Sequence, residues 1–487
     1  MPGINRMSAY FSRRGPGFVA AAMTLLSIQG CSDPTLQPWH TERLTAEFSV
    51  EKVDEIHSFD DYLRLEDELF AQLEEVVYAH TATGPEYALL RYSAGSAADP
   101  RQRQPNWNRS FELSVDAPTG GVLLLHGMSD SPYSLRAMAE TFEQRGYQVL
   151  GLRLPGHGTA PSGLTRVSWQ DMAVAVRLGM RHLSARVGDK PIHIVGYSTG
   201  APLALDFTLD ALQGDASPVP ASLVLISPAI GISPAAALAT WKRRLSIMPG
   251  LGGLAWLQLQ PEFDPYKYNS FATNAGEQVH RLTRAVARRI AAREGSDSGA
   301  MLPPILILKS TVDATVSTDA VVERLLRNLA PNRHALVLFD INRYAMKSSL
   351  LVSDPGPLTA RVMDDATLPF AVTLVTNENP GSAAVKALHK APFSAEVSNS
   401  EPLGLDWPRG VISLSHVALP FPPDDSLYGR RPASNNDALF LGEMAIQGER
   451  GLLKIPADWL LRLRYNPFYD YLERRTLDWV DGASTSD

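Results

Sequence analysis

Residues 192–200 have the sequence IHIVGYSTG, and the helix-forming segment APLALDF follows at 201–207. An apolar run, a turn with glycines on both sides of a serine, and a helical segment together predict a strand, a sharp turn and a helix. In so tight a turn the serine backbone is strained, and a side chain at Gly196 or Gly200 would collide with a neighbouring strand or helix. The stretch therefore predicts an α/β fold in which the hydroxyl of Ser198 is an exposed nucleophile. A tight turn without chemistry is the alternative.

The chain carries further motifs upstream of Ser198. The run GVLLL at 121–125 predicts a buried parallel strand, because it is apolar without alternation. The motifs that follow it are His126-Gly127, Arg145-Gly146-Tyr147, the run LRLPGHG at 152–158, and Trp169. Together with the serine turn they resemble the bacterial carboxylesterase and monoacylglycerol-lipase branch of the α/β-hydrolase superfamily. The resemblance covers most of residues 110–320 and the segment around 411–425.

This resemblance implies the α/β-hydrolase fold: a mostly parallel sheet flanked by helices, with a helical cap inserted over the active site. It also implies that the backbone N–H groups of Met128 and Thr199 form an oxyanion hole. His126 and His157 would then be structural turn residues rather than bases. Dehalogenase or epoxide-hydrolase chemistry is disfavoured, because those family members need a carboxylate where this chain has Ser198.

A serine hydroxyl is a poor nucleophile near neutral pH, so Ser198 needs a base and an acid that orients the base. The hydrolase pattern places the acid after a strand downstream of the serine. The run PILILKS at 304–310 predicts that strand, and Asp313 follows it. We therefore expect Asp313 to be the acid. The alternatives are a turn or helix-capping role for Asp313 and, as a second candidate acid, Asp340 after the strand-like run 335–339.

Three histidines lie after Asp313 and are candidates for the base. His334 precedes an apolar run, where the hydrolase pattern does not place the base, and His389 is expected on a helix surface. His416 follows the strand-like run 411–415 and precedes VALPFPP, whose three prolines would hold an imidazole in one orientation. It also resembles the histidine loop of the family, so we expect His416 to be the base.

Asp313 and His416 are 103 positions apart, a longer separation than compact members of the family need. Strand-like runs at 335–339 and 370–376 lie between them. Two architectures are compatible with this spacing: the sheet gains strands, or a subdomain is inserted before the histidine.

The first thirty residues carry three arginines and neither an acidic residue nor a lysine. The apolar stretch 18–28 is too short to span a bilayer, which takes about 20 helical residues, but it suits the core of a signal peptide. Ile28-Gln29-Gly30-Cys31 resembles a bacterial lipoprotein cleavage site, so we expect a lipid anchor at Cys31. The expected location is the bacterial cell envelope, at the outer membrane or its periplasmic face. An ordinary secretory signal is the alternative.

The charge of the chain restricts its partners. The formal net charge is −7, and removal of residues 1–30 lowers it to −10, with 42 basic against 52 acidic side chains. So acidic a protein is not expected to bind nucleic acid or anionic lipid by charge. Membrane contact would come from the anchor or from apolar residues near the active site. The sequence carries no H-E-x-x-H, paired C-x-x-C, P-loop or Rossmann motif, so we expect no metal and no other cofactor.

Further patterns predict how the chain is organised. Residues 58–78 predict an amphipathic helix capped by Ser58 and Asp61, and residues 466–480 predict a closing helix. The expected domains, in order, are a signal peptide (1–30), a tether and helical arm (31–109), the first part of the core (110–230), a helical cap (231–302), the second part of the core (303–340), an insertion (341–408) and the C-terminal part of the core (409–487).

We therefore expect a serine ester hydrolase of the carboxylesterase or lipase type. It would cleave lipid-like or short-to-medium acyl esters through an acyl-enzyme on Ser198. A thioesterase, a lysophospholipase or an acyltransferase would use the same three residues, so these activities stay open. From a different class, a catalytically silent envelope lipoprotein could use the same fold for binding.

Overall fold

The computed structural model describes residues 36–231, 252–293, 301–313, 316–340, 354, 356–407, 414–430, 439–442 and 463–484. The predicted signal peptide and Cys31 lie outside these ranges, as do residues 411–413 of the strand expected before His416. Within the described ranges, no helix is both long and apolar enough to cross a membrane.

The secondary structure alternates between strands and helices through the core. The α-helices are α1 (Pro38–Thr41), α2 (Phe59–Val76), α3 (Arg136–Gln144), α4 (Trp169–Val187), α5 (Gly200–Gln213), α6 (Thr273–Ala291), α7 (Thr318–Arg324), α8 (Gly356–Asp364) and α9 (Tyr469–Ser484). The strands are β1 (Phe111–Leu113), β2 (Gly120–Leu125), β3 (Tyr147–Leu152), β4 (Ile192–Tyr197), β5 (Ser222–Ile226), β6 (Trp256–Gln258), β7 (Phe271–Ala272), β8 (Ile305–Ser310), β9 (Ala335–Asp340), β10 (Ala371–Asn377), β11 (Ala384–Lys390) and β12 (Val397–Asp406).

One sheet organises the fold. Its strand order is β1-β3-β2-β4-β5-β8-β9-β10-β11-β12, and the strands from β3 to β10 in this order pair in parallel. Helix α4 packs on β2 and β3, α5 on β4, and α9 on β5 and β8. All residues of the central strands β2, β4, β5 and β8 are buried, which explains why these strands are continuous apolar runs in the sequence. The predicted mostly parallel sheet flanked by helices is confirmed.

The chain between Asp313 and His416 extends this sheet. β10 pairs in parallel with β9, and β11 and β12 add antiparallel strands at the edge. Of the two architectures compatible with the 103-residue spacing, the described residues therefore show added strands. The placement of His389 on a helix surface was wrong. His389 lies in β11, where Val385 and Ala387 are buried and His389 is partly buried, and its Nδ1 lies 3.1 Å from Thr373 Oγ1 of β10.

The N-terminal arm is joined to the core by buried charges. Helix α2 begins with the predicted capping box, because Ser58 Oγ accepts from the Asp61 N–H and the Asp61 carboxylate accepts from the Ser58 N–H. Arg153, which follows β3 and is 1% exposed, forms ion pairs with Glu66 of α2 at 3.0 Å and with Glu47 at 3.1 Å. Arg153 therefore connects the arm to the carboxyl end of the sheet.

The described part of the range expected to form the cap packs on the body of the protein. Helix α6 packs against α4 and α5, so it belongs to the helical layer that covers the sheet. Trp256 of β6 is buried and meets the His40 ring edge-on at 4.9 Å. The boundaries of a cap at 231–302 stay a prediction.

Five buried histidines make the stability of the fold depend on pH. Burial lowers the pKa of His40, His157, His193 and His334 to about 4, and that of His126 well below its usual value. As the pH falls from 6.5 towards 4, the unfolded chain binds protons that the folded protein excludes, so folding stability is lost. Glu262 acts in the opposite sense: burial raises its pKa to about 7, so its contribution is present below about pH 4.5 and is lost as the pH rises through 7.

Because the five histidines outnumber Glu262, Asp130 and Asp206, the carboxyls whose pKa burial raises, the free energy of unfolding is expected to be lower at pH 5 than at pH 7 by about 3 kcal/mol. Urea unfolding at the two pH values measures the difference. The variant His193→Gln should reduce it, since this ring lies between Ser222 and Ser484 and stays neutral. Equal stability at the two pH values would contradict the expected neutral state of these rings.

Candidate active site

The backbone around Ser198 has the geometry of a nucleophile turn. Ser198 has φ +52°, and it follows β4 and precedes α5 directly. A Cβ on Gly200 would lie 2.1 Å from the carbonyl oxygen of Leu125, and one on Gly196 would lie 2.6 Å from the carbonyl oxygen of Gly200. Only glycine fits at both positions. The Ser198 N–H donates to the Ile226 carbonyl at 2.9 Å, which helps hold the strained residue.

A chain of hydrogen bonds joins Ser198 to His416 and Asp313. Ser198 Oγ lies 2.9 Å from His416 Nε2, and His416 Nδ1 lies 2.9 Å from Asp313 Oδ2. His416 begins a short 3-10 helix, and the Tyr197 hydroxyl donates to its carbonyl oxygen at 3.4 Å. The ring centroids of Tyr197 and His416 are 5.5 Å apart. The structure thus brings together the three residues predicted as nucleophile, base and acid.

Asp313 is held by more than His416. Its Oδ2 also accepts from Lys309 Nζ at 2.8 Å, both side chains are fully buried, and its Oδ1 accepts from the Val316 N–H at 3.1 Å. Burial alone would raise the pKa of the Asp313 carboxyl, but the Lys309 ammonium and the His416 imidazole hold this pKa well below its usual range. Asp313 is therefore ionised and can fix the imidazole with Nδ1 protonated. Asp340, the second candidate acid, accepts instead from Thr311 Oγ1.

Of the two expected oxyanion donors, Thr199 follows Ser198 directly, and Met128 follows Gly127, on which a Cβ would lie 3.0 Å from Ser198 Cβ. Met128 follows β2 in the loop 126–131, and Thr199 precedes α5. The backbone N–H groups of Met128 and Thr199 have no hydrogen-bond partner within the described part of the chain. Both ring nitrogens of His126 form hydrogen bonds to the backbone. Nε2 accepts from the Leu154 N–H at 3.0 Å, and Nδ1 donates to the Gly127 carbonyl at 2.9 Å. A neutral tautomer with both nitrogens engaged agrees with a structural role.

Known proteins share this architecture. Residues 122–342 match the model of the alpha/beta hydrolase family. The chain has the α/β-hydrolase fold. A thermostable monoacylglycerol lipase of Bacillus sp. (strain H-257) is 38% identical over 85 residues, which are 18% of this chain and 33% of that lipase. The chain thus matches about a third of the length of this curated relative.

Solved structures with the α/β-hydrolase fold resemble this chain over about half of its length. A metagenome-derived lipolytic enzyme is 22% identical, with 48% of this chain and 87% of that chain covered and a TM-score of 0.38. The monoacylglycerol lipase of Paleococcus ferrophilus is 19% identical, with 47% and 87% covered and a TM-score of 0.36.

Three consecutive residues of this chain, Tyr266 to Tyr268, bind the loop 126–131 and its neighbour Tyr133. The Tyr268 N–H donates to the Ser129 carbonyl at 2.8 Å. The Tyr266 ring stacks on Tyr133 with centroids 3.9 Å apart, and Lys267 Nζ donates to Asp130 Oδ1 at 2.9 Å. The loop that carries Met128 is therefore fixed by a segment more than a hundred residues away in sequence.

Sequence reasoning missed two charged residues at this site. Lys309 is a lysine within the apolar strand β8, which is itself a signal, since a buried lysine needs an acidic partner. Lys267 carries no comparable signal, because it lies in a loop among polar residues. Its contact with Asp130 depends on tertiary structure alone.

Proposed function

We propose that this protein is a serine ester hydrolase. The observation that carries the proposal is the chain of two 2.9 Å hydrogen bonds from Ser198 through His416 to Asp313. In the proposed reaction Ser198 Oγ attacks the ester carbonyl while His416 Nε2 takes the hydroxyl proton and then gives it to the leaving alcohol. Asp313 keeps the imidazole in the reactive tautomer.

The proposed oxyanion hole consists of the Met128 and Thr199 N–H groups. Thr199 follows Ser198 directly and Met128 follows Gly127, which approaches Ser198, and neither N–H donates to another described residue. They would stabilise the tetrahedral oxyanion during both acylation and deacylation, and water attacks the acyl-enzyme in the second step. Loss of one such donor typically lowers turnover by about a hundredfold to a thousandfold.

We propose lipid-like or short-to-medium acyl esters as substrates. The support is the 85-residue similarity to a monoacylglycerol lipase and the pattern before Cys31, which is typical of a lipoprotein. An acyl anchor at Cys31 would hold the enzyme at an envelope membrane, next to lipid substrates. Thioester cleavage, lysophospholipid hydrolysis and acyl transfer would use the same three residues.

A fluorophosphonate probe tests the proposal, because it reacts with activated serines. The full-length protein is expected to be labelled, and Ser198→Ala is expected to abolish labelling because the reacting oxygen is removed. Ser184→Ala, which alters a serine of helix α4, is the matched control and should be labelled like the parent. Labelled parent protein should be found in the membrane fraction of cells, and Cys31→Ser should move it to the soluble or secreted fraction.

Absence of labelling in a folded parent would contradict the hydrolase proposal and would favour a catalytically silent binding protein. Equal fractionation of the parent and Cys31→Ser would contradict the anchor alone.

A further inference from the structure

The ion pair between Asp130 and Lys267 lies beside Ser198. A Cβ placed on Gly127 would be 3.0 Å from Asp130 Oδ2 and 3.0 Å from Ser198 Cβ. Asp130 Oδ2 is therefore at most 6 Å from the Cβ of the serine. The Asp130 carboxylate thus lies near Ser198. Burial raises the pKa of the Asp130 carboxyl, while the Lys267 ammonium acts in the opposite direction.

The pair has unused hydrogen-bonding capacity. Lys267 Nζ donates to Asp130 Oδ1, while Oδ2 has no hydrogen-bond partner among the described residues. The Lys267 ammonium has three donors, and its side chain is 26% exposed, whereas that of Asp130 is 7% exposed. An acceptor and a donor therefore lie side by side at the nucleophile. This combination suits a neutral hydroxyl group, which both donates and accepts.

Contacts other than this ion pair also hold the loop in position. The Tyr268 N–H bond to Ser129 and the stacking of Tyr266 on Tyr133 hold the loop on both sides of the pair. Burying a charged pair costs desolvation energy, and such pairs are often replaceable by apolar residues of similar volume. A role in binding explains why charges lie here.

We propose that Asp130 and Lys267 form a subsite that binds a free hydroxyl group of the leaving alcohol, so that the enzyme prefers esters of polyols. Asp130 Oδ2 accepts the hydroxyl hydrogen, and Lys267 donates to a hydroxyl oxygen. This inference rests on the proposed ester hydrolysis and adds the alcohol specificity of the same site.

Two esters that share an acyl chain test the subsite. One is a 1-monoacylglycerol and the other is its di-O-methyl ether, with the acyl length that the parent cleaves fastest. The parent is expected to cleave the glycerol ester with a higher kcat/KM, by about tenfold or more, since a hydrogen bond to a charged group discriminates by about this factor. Asp130→Asn and Lys267→Met should each reduce that ratio, with a larger reduction for Asp130→Asn, because its amide can also donate to the ether oxygens.

Asp189→Asn and Lys190→Met are matched controls. These exposed residues precede β4, so they lie at the end of the strand that is farthest from Ser198. They should keep the parent ratio. Thermal unfolding verifies that each variant is folded, and the isosteric Asp130→Asn keeps the shape of the loop.

Three results would overturn the subsite. A parent without preference between the two esters contradicts it while ester hydrolysis stands. Equal losses on both esters in Asp130→Asn and Lys267→Met would show that the pair only positions the loop. A parent that cleaves neither ester and is not labelled by fluorophosphonate contradicts the proposed function itself, and the subsite with it.

Discussion

Replacing His416 with alanine is expected to lower kcat/KM for the preferred ester by at least about four orders of magnitude. Without the imidazole, no described group within hydrogen-bonding distance can take the Ser198 proton. When catalytic residues act as a unit, removal of one of them abolishes most of the rate enhancement that they provide together. Steady-state kinetics with a chromogenic ester measure the loss. Ser198 stays in place, so the decrease reports on activation of the hydroxyl rather than on loss of the nucleophile.

His389→Ala is the matched control for this variant. His389 is also a half-buried histidine downstream of Asp313, but its partners are Thr373 and Glu401 in the added strands. Its replacement should change kcat/KM by no more than about twofold. A His416→Ala enzyme with activity near that of the parent would contradict the assignment of the base.

Replacing Arg153 with methionine is expected to lower the free energy of unfolding by about 3–5 kcal/mol. The variant keeps an apolar stem but leaves Glu66, which is 2% exposed, without its cation, and it removes the bond to Glu47. Breaking a buried ion pair by removal of one partner typically costs this much. It also removes the hydrogen bond to the His157 carbonyl at 3.1 Å. Urea unfolding at pH 7 measures the change.

Arg186→Met is the control for this variant, because Arg186 also contacts a glutamate, Glu112, at 2.8 Å but has a side chain that is 52% exposed. Exposed ion pairs contribute about 0–1 kcal/mol, so this variant should unfold almost like the parent. If Arg153→Met lowered the free energy of unfolding no more than Arg186→Met does, Arg153 would not hold the arm to the core.

Much of the fold follows from local patterns in the sequence. The strands β2, β4 and β8 were predictable because burial on both faces requires uninterrupted apolar runs. Helix α2 was predictable from its amphipathic spacing and from Ser58 and Asp61 at its start. The helical placement of His389 failed, because a short segment with small and charged residues, AVKALHK, carries no decisive period, and its pairing with β10 determines its structure.

Part of the candidate site was also predictable from the sequence, and part was not. Ser198 and the glycines beside it are recognisable, because the turn itself requires those residue types in that order. Asp313 and His416 could be chosen by their positions after apolar runs. The pairing of Asp130 with Lys267 was not predictable, since it joins two loops 137 residues apart and neither loop has a periodic pattern. Contacts of this kind depend on how the chain folds back on itself.

Because of the added strands, Asp313 and His416 are far apart in the sequence but close in space. After β9 the sheet grows outward through β10, β11 and β12, away from β2 and β4, which carry the loops around Ser198. Asp313 and His416 nevertheless meet at 2.9 Å, with 103 residues of contour between them. Growth at that edge lengthens the polypeptide without displacing the reacting groups. The outer strands are thus a region where insertions and deletions can accumulate during evolution while the chemistry at the centre of the sheet is preserved.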